Sequence, residues 1–178
     1  MNVEDLGLST TVVGSIPLEN TQVNMERAFE DQINIGLDFP CYPQLVSMIS
    51  QFLTPLSQII PELQENNKKF FLNGDFELPR ESIALEYGKF LVEYLNNNPT
   101  AKQKIKGTKA CLTGPFTLAS EITLKGSLAE GKKPMLFKEP KAIMVGWIVE
   151  KLAEIMKQIG KAYDDMGIDI ISMDEPIL

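Results

Sequence analysis

The sequence predicts an α/β fold made of parallel βαβ units. Short apolar runs alternate with longer stretches in which apolar residues recur at helical spacing, and each short run stops at Gly, Ser, Asp or Glu. Such alternation is typical of parallel sheets whose strands are connected by helices. The chain has 178 residues, of which 44% are hydrophobic, and this is enough for one core. We therefore expect a single domain over residues 1–178.

The predicted strands are short apolar runs bounded by turn-forming residues. The first is a β-branched run that ends at a Gly-Ser pair, and the third meets Asn-Gly-Asp, which is a turn signal. The last leads into two acids and a proline. The sequence thus predicts strands at Thr10–Val13, Leu37–Cys41, Lys69–Leu72, Thr108–Leu112 and Ile168–Met173.

Between these runs, apolar residues recur every three to four positions, which indicates amphipathic helices. Gly36 and Gly167 follow two of the stretches and mark where helices end. Pro55 and Pro61 are expected to break a third stretch into pieces. The predicted helices cover Asn24–Ile35, pieces of Val46–Leu63, Glu81–Asn96, a helix that begins within Phe116–Leu124, and Lys138–Met166.

The composition argues against several classes of protein. The chain has no histidine, which excludes histidine-based acid–base catalysis and histidine-ligated metal sites in this polypeptide. Its formal net charge of −7 disfavours a protein that binds nucleic-acid phosphates. No apolar run approaches the roughly 18 residues of a membrane span. With no basic N-terminal leader and only two cysteines, we expect a cytoplasmic protein.

The candidate functional residues follow directly after predicted strands. In parallel α/β folds, reactive side chains lie at the carboxyl ends of the strands. This rule selects four pairs: Gly14 and Ser15, Gly74 and Asp75, Gly114 and Pro115, and Asp174 and Glu175. Each also has an ordinary structural explanation. Gly14 and Ser15 would form a strand-to-helix turn, Asp75 would cap its own backbone, and the last two acids would be a solvated strand end.

Four stretches contain these strand ends: TTVVGSIP (10–17), LNGDFELPRESIALEYG (72–88), LTGPFTLAS (112–120) and ISMDEPIL (171–178). Together they resemble the cobalamin-independent methionine synthase family, which shares a superfamily with uroporphyrinogen decarboxylase and the corrinoid-dependent methyltransferases. The resemblance implies a (β/α)8 barrel of the TIM type, of which this chain would cover roughly the first half. The chain would then end on a barrel strand, either as a fragment or because two chains complete one barrel.

The resemblance implies a role for five of these candidate residues. Gly14 and Ser15 match a turn that holds the carboxylate of the amino-acid substrate through backbone N–H groups and the Ser hydroxyl. Asp174 matches an aspartate that pairs with the substrate's ammonium group, and Glu175 follows it in the same motif. Asp75 stands where the family has a glutamate, so the carboxylate is one methylene shorter. This departure bears on specificity for homocysteine.

The activity that the resemblance implies is transfer of a methyl group from a folate or corrinoid donor to a thiol such as homocysteine. The expected partners are an amino-acid thiol and a methyl donor. The family uses zinc to bind the thiol as a thiolate. Its zinc ligands, a His-x-Cys pair, a Glu and a later Cys, have no match in this chain. We therefore predict substrate-binding residues only, without catalytic or metal-binding residues, and a chain that is inactive by itself.

Two other functions are open at this point. One is a non-catalytic half-barrel that binds a ligand or assembles with a partner, as a homodimer or with a second chain. The other is an enzyme like uroporphyrinogen decarboxylase, which needs no metal and binds a highly anionic porphyrinogen. Such an enzyme is expected to carry Arg near its first strand, and no Arg occurs between residues 1 and 26.

Overall fold

The computed structural model describes residues 7–133 and 137–177. The first residues of the N-terminal segment and Leu178 of the closing motif lie outside this part. The described residues form six α-helices, two 3₁₀ helices and five strands. The helices are Gln22–Asn34 (α1), Ser50–Ile59 (α2), Glu86–Asn97 (α3), Pro99–Lys102 (α4), Pro115–Glu121 (α5) and Gly146–Asp165 (α6), with 3₁₀ helices at Gly126–Leu128 and Ala142–Met144. The strands are Leu63–Asn66 (β1), Lys69–Leu72 (β2), Lys109–Thr113 (β3), Ile122–Leu124 (β4) and Ile170–Asp174 (β5).

The chain folds into two compact units, each assembled from three segments. The first unit comprises Met1–Ser47, Leu85–Leu112 and Gly160–Ser172. The second comprises Met48–Ala84, Thr113–Ile159 and Met173–Leu178. None of the helices in the described part of the chain is long and apolar enough to cross a membrane.

Helix α1 provides much of the core of the first unit. Its start is capped by Thr21, whose hydroxyl accepts a hydrogen bond from the N–H of Asn24 at 3.2 Å. The buried ring of Phe29 packs edge-on against Phe90 and Tyr94 of α3, with centroids 6.3 and 5.3 Å away. Such edge-to-face pairs add to the stabilisation from apolar burial. The helix predicted at this position is confirmed.

In the first unit, the first two predicted strands do not form ladders. Their residues pair through single bridges in the parallel sense. The bridges join Thr11 to Phe39, Ser15 to Gln44, and Cys41 to Lys109 at the start of β3. β3 in turn pairs with β5. In the first unit, regular pairing is therefore confined to the predicted strands Thr108–Leu112 and Ile168–Met173.

The second unit contains a β-hairpin that the sequence did not predict. β1 pairs antiparallel with β2, beginning with Leu63 opposite Leu72. Asn67 and Lys68 form the two-residue turn, with φ of 50° and 60°. Both values lie in the left-handed region that tight hairpin turns require. β4 pairs with the other edge of β2 in parallel, so the second unit holds a mixed sheet in the order β1-β2-β4.

The prediction of a (β/α)8 barrel, with this chain as its first half, is wrong. The described residues form a small α/β fold with one sheet of three strands and one of two. The segments Thr10–Val13 and Leu37–Cys41 supply only isolated bridges, and the antiparallel strand β1 interrupts the βαβ alternation. β4 begins directly after α5, where the sequence predicted that a helix would continue.

Two helices begin later than predicted. α3 starts at Glu86 rather than Glu81, and the preceding buried residue Ala84 has φ of 55°, which is incompatible with a right-handed helix. α6 starts at Gly146 rather than Lys138, after a 3₁₀ helix. Both helices end within one residue of the predicted position. Apolar periodicity thus located the helices better than it located their first turns.

Candidate functional site

The Gly14–Ser15 turn lies in the first unit and is held by Gln44. The carbonyl of Gly14 accepts a hydrogen bond from the N–H of Gln44 at 2.9 Å. The hydroxyl of Ser15 donates to Oε1 of Gln44 at 2.7 Å. The carbonyl of Gln44 accepts a third bond, from the N–H of Ile16 at 3.1 Å. A single glutamine therefore fixes the conformation of this turn from both its backbone and its side chain.

Two backbone donors of this turn are unused. The N–H groups of Gly14 and Ser15 donate to no atom of the residues that the structure describes. Gly14 has φ of 92°, a backbone conformation that favours glycine and that also occurs in turns whose successive N–H groups bind anions. Ser15 is exposed. It lines a cavity of about 380 Å³ together with Ile16, Pro17, Gln44, Leu45 and Val46.

Two reduced cysteines lie against this turn. The Sγ atoms of Cys41 and Cys111 are 3.5 Å apart, and both cysteines are buried. A Cβ atom placed on Gly14 would lie 2.7 Å from Sγ of Cys41 and 2.8 Å from the carbonyl oxygen of Tyr42. Both the space and the positive φ therefore require glycine at position 14.

Asp75 lies in the second unit, and its carboxylate is paired with Lys151. Oδ1 of Asp75 accepts hydrogen bonds from Nζ of Lys151 at 2.5 Å and from the N–H of Phe76 at 2.8 Å. Nζ of Lys151 also donates to the carbonyl of Phe76 and lies 5.1 Å from the ring centroids of Phe76 and Trp147. The Lys151 ammonium, followed by the Phe76 N–H, holds the pKa of Asp75 below its ordinary value.

A cavity of about 780 Å³ adjoins this ion pair within the second unit. Asp75, Arg80 and Lys151 line it, together with Ile59 and Leu78, two apolar side chains that are 51% and 37% exposed. Cavities of this size hold small molecules. Asp75 therefore lies at a cavity, as a binding residue would, but a lysine of the same chain already neutralises its carboxylate.

We expect Lys151→Met to raise the pKa of Asp75 toward its ordinary value, because the larger of the two stabilising interactions is lost. A lowered pKa stabilises the fold above the ordinary pKa, and this contribution disappears as the pH falls through the lowered value. An NMR titration of the Asp75 carboxyl carbon measures the shift. Lys157→Met, which breaks an exposed pair with Glu154 on the same helix, is the matched control and should leave the pKa of Asp75 unchanged. Equal titration curves for Asp75 in both variants would contradict the assigned cause.

Asp174 and Glu175 lie at the end of β5 and differ in their surroundings. The carboxylate of Glu175 accepts hydrogen bonds from the N–H of Phe116 at 3.0 Å and from the N–H and hydroxyl of Thr117 at 2.9 and 2.7 Å. Glu175 therefore caps the start of α5. The half-buried Asp174 makes no side-chain hydrogen bond or ion pair with the residues that the structure describes. Its carboxylate is the one of the two that is available to a ligand.

We expect Glu175→Ala to lower the free energy of unfolding by about 1–3 kcal/mol, because α5 loses the only side-chain cap found at its start in the described residues. Urea unfolding followed by circular dichroism measures the loss. Glu121→Ala removes an exposed acid from the other end of the same helix, and we expect it to change stability by less than about 0.5 kcal/mol. Comparable losses in the two variants would show that Glu175 is not a cap.

The residues present do not fit the zinc site that the resemblance implies for the family. No group of three His, Cys, Asp or Glu side chains within residues 7–133 and 137–177 is placed to hold a metal ion. Cys41 and Cys111 are adjacent, but a catalytic zinc takes three protein ligands. No step that uses zinc is therefore assigned to this chain.

No family model matches the chain, and no curated protein matches it. The resemblance to the methionine synthases therefore stays a prediction that depends on the four sequence stretches alone.

The structure distributes the five predicted residues over the two units. Gly14 and Ser15 lie in the first unit, whereas Asp75, Asp174 and Glu175 lie in the second. Within the second unit, Asp75 and Glu175 bind different partners, a lysine of α6 and the start of α5. Sequence reasoning missed Gln44 and Lys151, which hold Ser15 and Asp75. Neither belongs to a motif, since one follows a proline outside the regular strands and the other is one of several lysines on a long helix.

Proposed function

We propose that this chain binds the carboxylate of a small amino acid, as the substrate-binding part of a methyltransferase that acts on an amino-acid thiol such as homocysteine. The observation that carries the proposal is the pair of unused N–H groups at Gly14 and Ser15. A carboxylate that accepts from two backbone N–H groups gains charge-assisted hydrogen bonds, and within residues 7–133 and 137–177 it displaces no acceptor of these groups.

The hydroxyl of Ser15 is the third donor for this carboxylate. It donates to Oε1 of Gln44 at 2.7 Å and would rotate about its C–O bond to reach a bound carboxylate oxygen. The hydroxyl therefore exchanges one acceptor for another, so its net contribution is smaller than that of the N–H groups.

The cavity beside Ser15 supports an amino acid with an apolar side chain. Ile16, Pro17, Leu45 and Val46 line it and carry no charge. A sulfur-containing chain of the homocysteine or methionine type buries its apolar atoms against such residues. Asp174 lies in the second unit, and the role that the resemblance implies for it, pairing with an ammonium group, stays a prediction.

Methyl transfer itself is assigned to no residue of this chain. The folate or corrinoid donor and the metal of the implied reaction would be bound by other parts of the active protein, with which this chain would act. The chain would contribute the position of the amino acid, and positioning alone contributes substantially to rate in two-substrate reactions.

Isothermal titration calorimetry of the reduced chain with L-homocysteine and L-methionine tests the proposal. We expect both to bind, and we expect L-methioninol, which keeps the ammonium and thioether but lacks the carboxylate, to bind at least about 100-fold more weakly. Equal affinity for methionine and methioninol would overturn the assignment of the turn as a carboxylate site.

The Ser15→Ala variant adds a residue-level test. We expect it to weaken L-methionine binding about 5- to 10-fold, because one donor is lost and two remain. Ser127→Ala removes an exposed hydroxyl in the second unit and should leave the affinity unchanged. Equal binding by both variants would exclude the hydroxyl from the site.

A further inference from the structure

The two cysteine thiols meet because of how the strands of the first unit pair. Cys41 bridges to Lys109 in the parallel sense, and Cys111 lies two residues further along β3. Residues two apart in a strand lie on the same face, and so do residues that are paired across strands. The thiols of Cys41 and Cys111 therefore lie on the same face of the paired segments. The resulting distance of 3.5 Å between the Sγ atoms is direct contact.

Both thiols are hydrogen-bonded to the backbone carbonyl of Val13, directly before the Gly14–Ser15 turn. The carbonyl of Val13 lies 3.0 Å from Sγ of Cys111 and 3.6 Å from Sγ of Cys41, and each S–H is placed to donate to it. The hydroxyl of Ser172 donates to Sγ of Cys111 at 3.2 Å. A hydroxyl donor stabilises negative charge on sulfur, which makes Cys111 the better nucleophile of the two.

We infer that Cys41 and Cys111 are a peroxide-sensitive dithiol that closes to an intrachain disulfide and thereby changes the Gly14–Ser15 turn. Cys41 is 0% exposed and Cys111 is 5% exposed, so the oxidant must be small, and hydrogen peroxide is the class that fits. Bulky thiol disulfides would be excluded by the same burial. Other pairings within the chain are excluded because it contains two cysteines in total.

The reaction balances in two steps. The Cys111 thiolate attacks one oxygen of the peroxide, the O–O bond breaks, and the departing hydroxide takes a proton to become water, which leaves a sulfenic acid on Cys111. The Cys41 sulfur then attacks the Cys111 sulfur, the S–O bond breaks, and hydroxide leaves with the Cys41 proton as a second water. The two cysteines lose two electrons and two protons, and the peroxide is reduced to two waters.

Closing the disulfide acts on the turn in two ways. The sulfurs must approach from 3.5 Å to about 2.05 Å, and Cys41 packs against Gly14 with no room for even one added carbon. Both S–H donors to the Val13 carbonyl are also lost. The backbone that carries the N–H groups of Gly14 and Ser15 therefore moves when the disulfide forms.

Intact mass spectrometry tests the modification without any ligand. The full chain is treated with hydrogen peroxide, denatured without reductant, and alkylated with N-ethylmaleimide. We expect the treated monomer to lose two mass units and to take up no maleimide, and to take up two maleimides after reduction. The inference would be overturned if both thiols were still alkylated after peroxide. It would also be overturned if each cysteine gained oxygen and no disulfide formed.

The single variants Cys41→Ser and Cys111→Ser separate pairing from reactivity. We expect neither to form an intrachain disulfide, and we expect sulfenic acid, trapped with dimedone, in Cys41→Ser but not in Cys111→Ser. Dimedone labelling confined to Cys111→Ser would reverse the roles of the two sulfurs and contradict the contribution of Ser172. Ser172→Ala should slow disulfide formation several-fold.

The effect on the turn has its own readout. Oxidation should shift the NMR amide resonances of Gly14 and Ser15, and unchanged resonances in the disulfide form would overturn the coupling. The expected functional effect, which rests on the proposed function, is at least about a 10-fold loss of L-methionine affinity that reductant restores. In Cys41→Ser/Cys111→Ser, peroxide should leave the affinity unchanged. Absence of methionine binding to the reduced chain would instead count against the proposed function, since mass and amide shifts need no ligand.

Discussion

Gly14→Ala is expected to lower the free energy of unfolding by about 2–5 kcal/mol. Two costs add at this position. An alanine strains the backbone at φ of 92°, and its Cβ would lie 2.8 Å from the Tyr42 carbonyl oxygen, an atom that cannot move without breaking the bridges around it. Urea unfolding monitored by tyrosine and tryptophan fluorescence measures the loss.

Gly36→Ala is the matched control for this substitution. Gly36 lies in the same unit with φ of 82°, and nothing lies within 4 Å of a Cβ added there. Its replacement therefore costs only the backbone strain, about 1–2 kcal/mol. A loss for Gly14→Ala no larger than that for Gly36→Ala would show that the turn is not packed against Cys41 and Tyr42.

Gln32→Leu is expected to destabilise the chain by about 2–4 kcal/mol. Gln32 is buried on α1. Its side-chain amide makes the two hydrogen bonds with the Cys41 backbone that a neighbouring strand would make in a regular sheet. It accepts from the N–H of Cys41 at 2.8 Å and donates to the carbonyl of Cys41 at 3.0 Å. Leucine has nearly the same volume but makes neither of these two hydrogen bonds. Urea unfolding under the same conditions gives the comparison.

Gln22→Leu provides the control on the same helix. Gln22 is exposed and its side chain reaches only Glu26 at 2.9 Å, so the expected change is within about 0.5 kcal/mol. Gln32→Glu is informative as well, since it keeps the acceptor for the Cys41 N–H and loses the donor. If Gln32→Leu left the free energy of unfolding unchanged, this would contradict the view that the segment around Cys41 is held by side chains rather than by a strand ladder.

The sequence predicted the elements whose apolar pattern is unambiguous and missed those set by turns. β2 and β3 are apolar runs, and α1 and α3 show helical spacing, so their existence was predictable. β1 was not, because three of its four residues are polar and exposed, and its pairing depends on a turn with left-handed φ at Asn67 and Lys68. That turn reverses the chain, and the series of parallel βαβ units inferred from alternation fails at this point.

The candidate site was predictable only where backbone geometry demands a particular residue. Gly14 is required by its φ and by Cys41, and a Gly-Ser pair after a β-branched run carried that information. The pairing of Asp75 with Lys151 and the capping of α5 by Glu175 were not predictable, because each joins residues more than fifty positions apart. The contact between Cys41 and Cys111 required the pairing of two segments, which periodicity does not specify.

The most direct test of the carboxylate site is an NMR titration of the ¹⁵N-labelled, reduced chain with L-methionine, followed at the Gly14 and Ser15 amides. The proposed site predicts that these two resonances shift downfield and saturate with L-methionine and do not respond to L-methioninol. Unmoved Gly14 and Ser15 amides up to about 10 mM L-methionine, or equal shifts with both compounds, would contradict it.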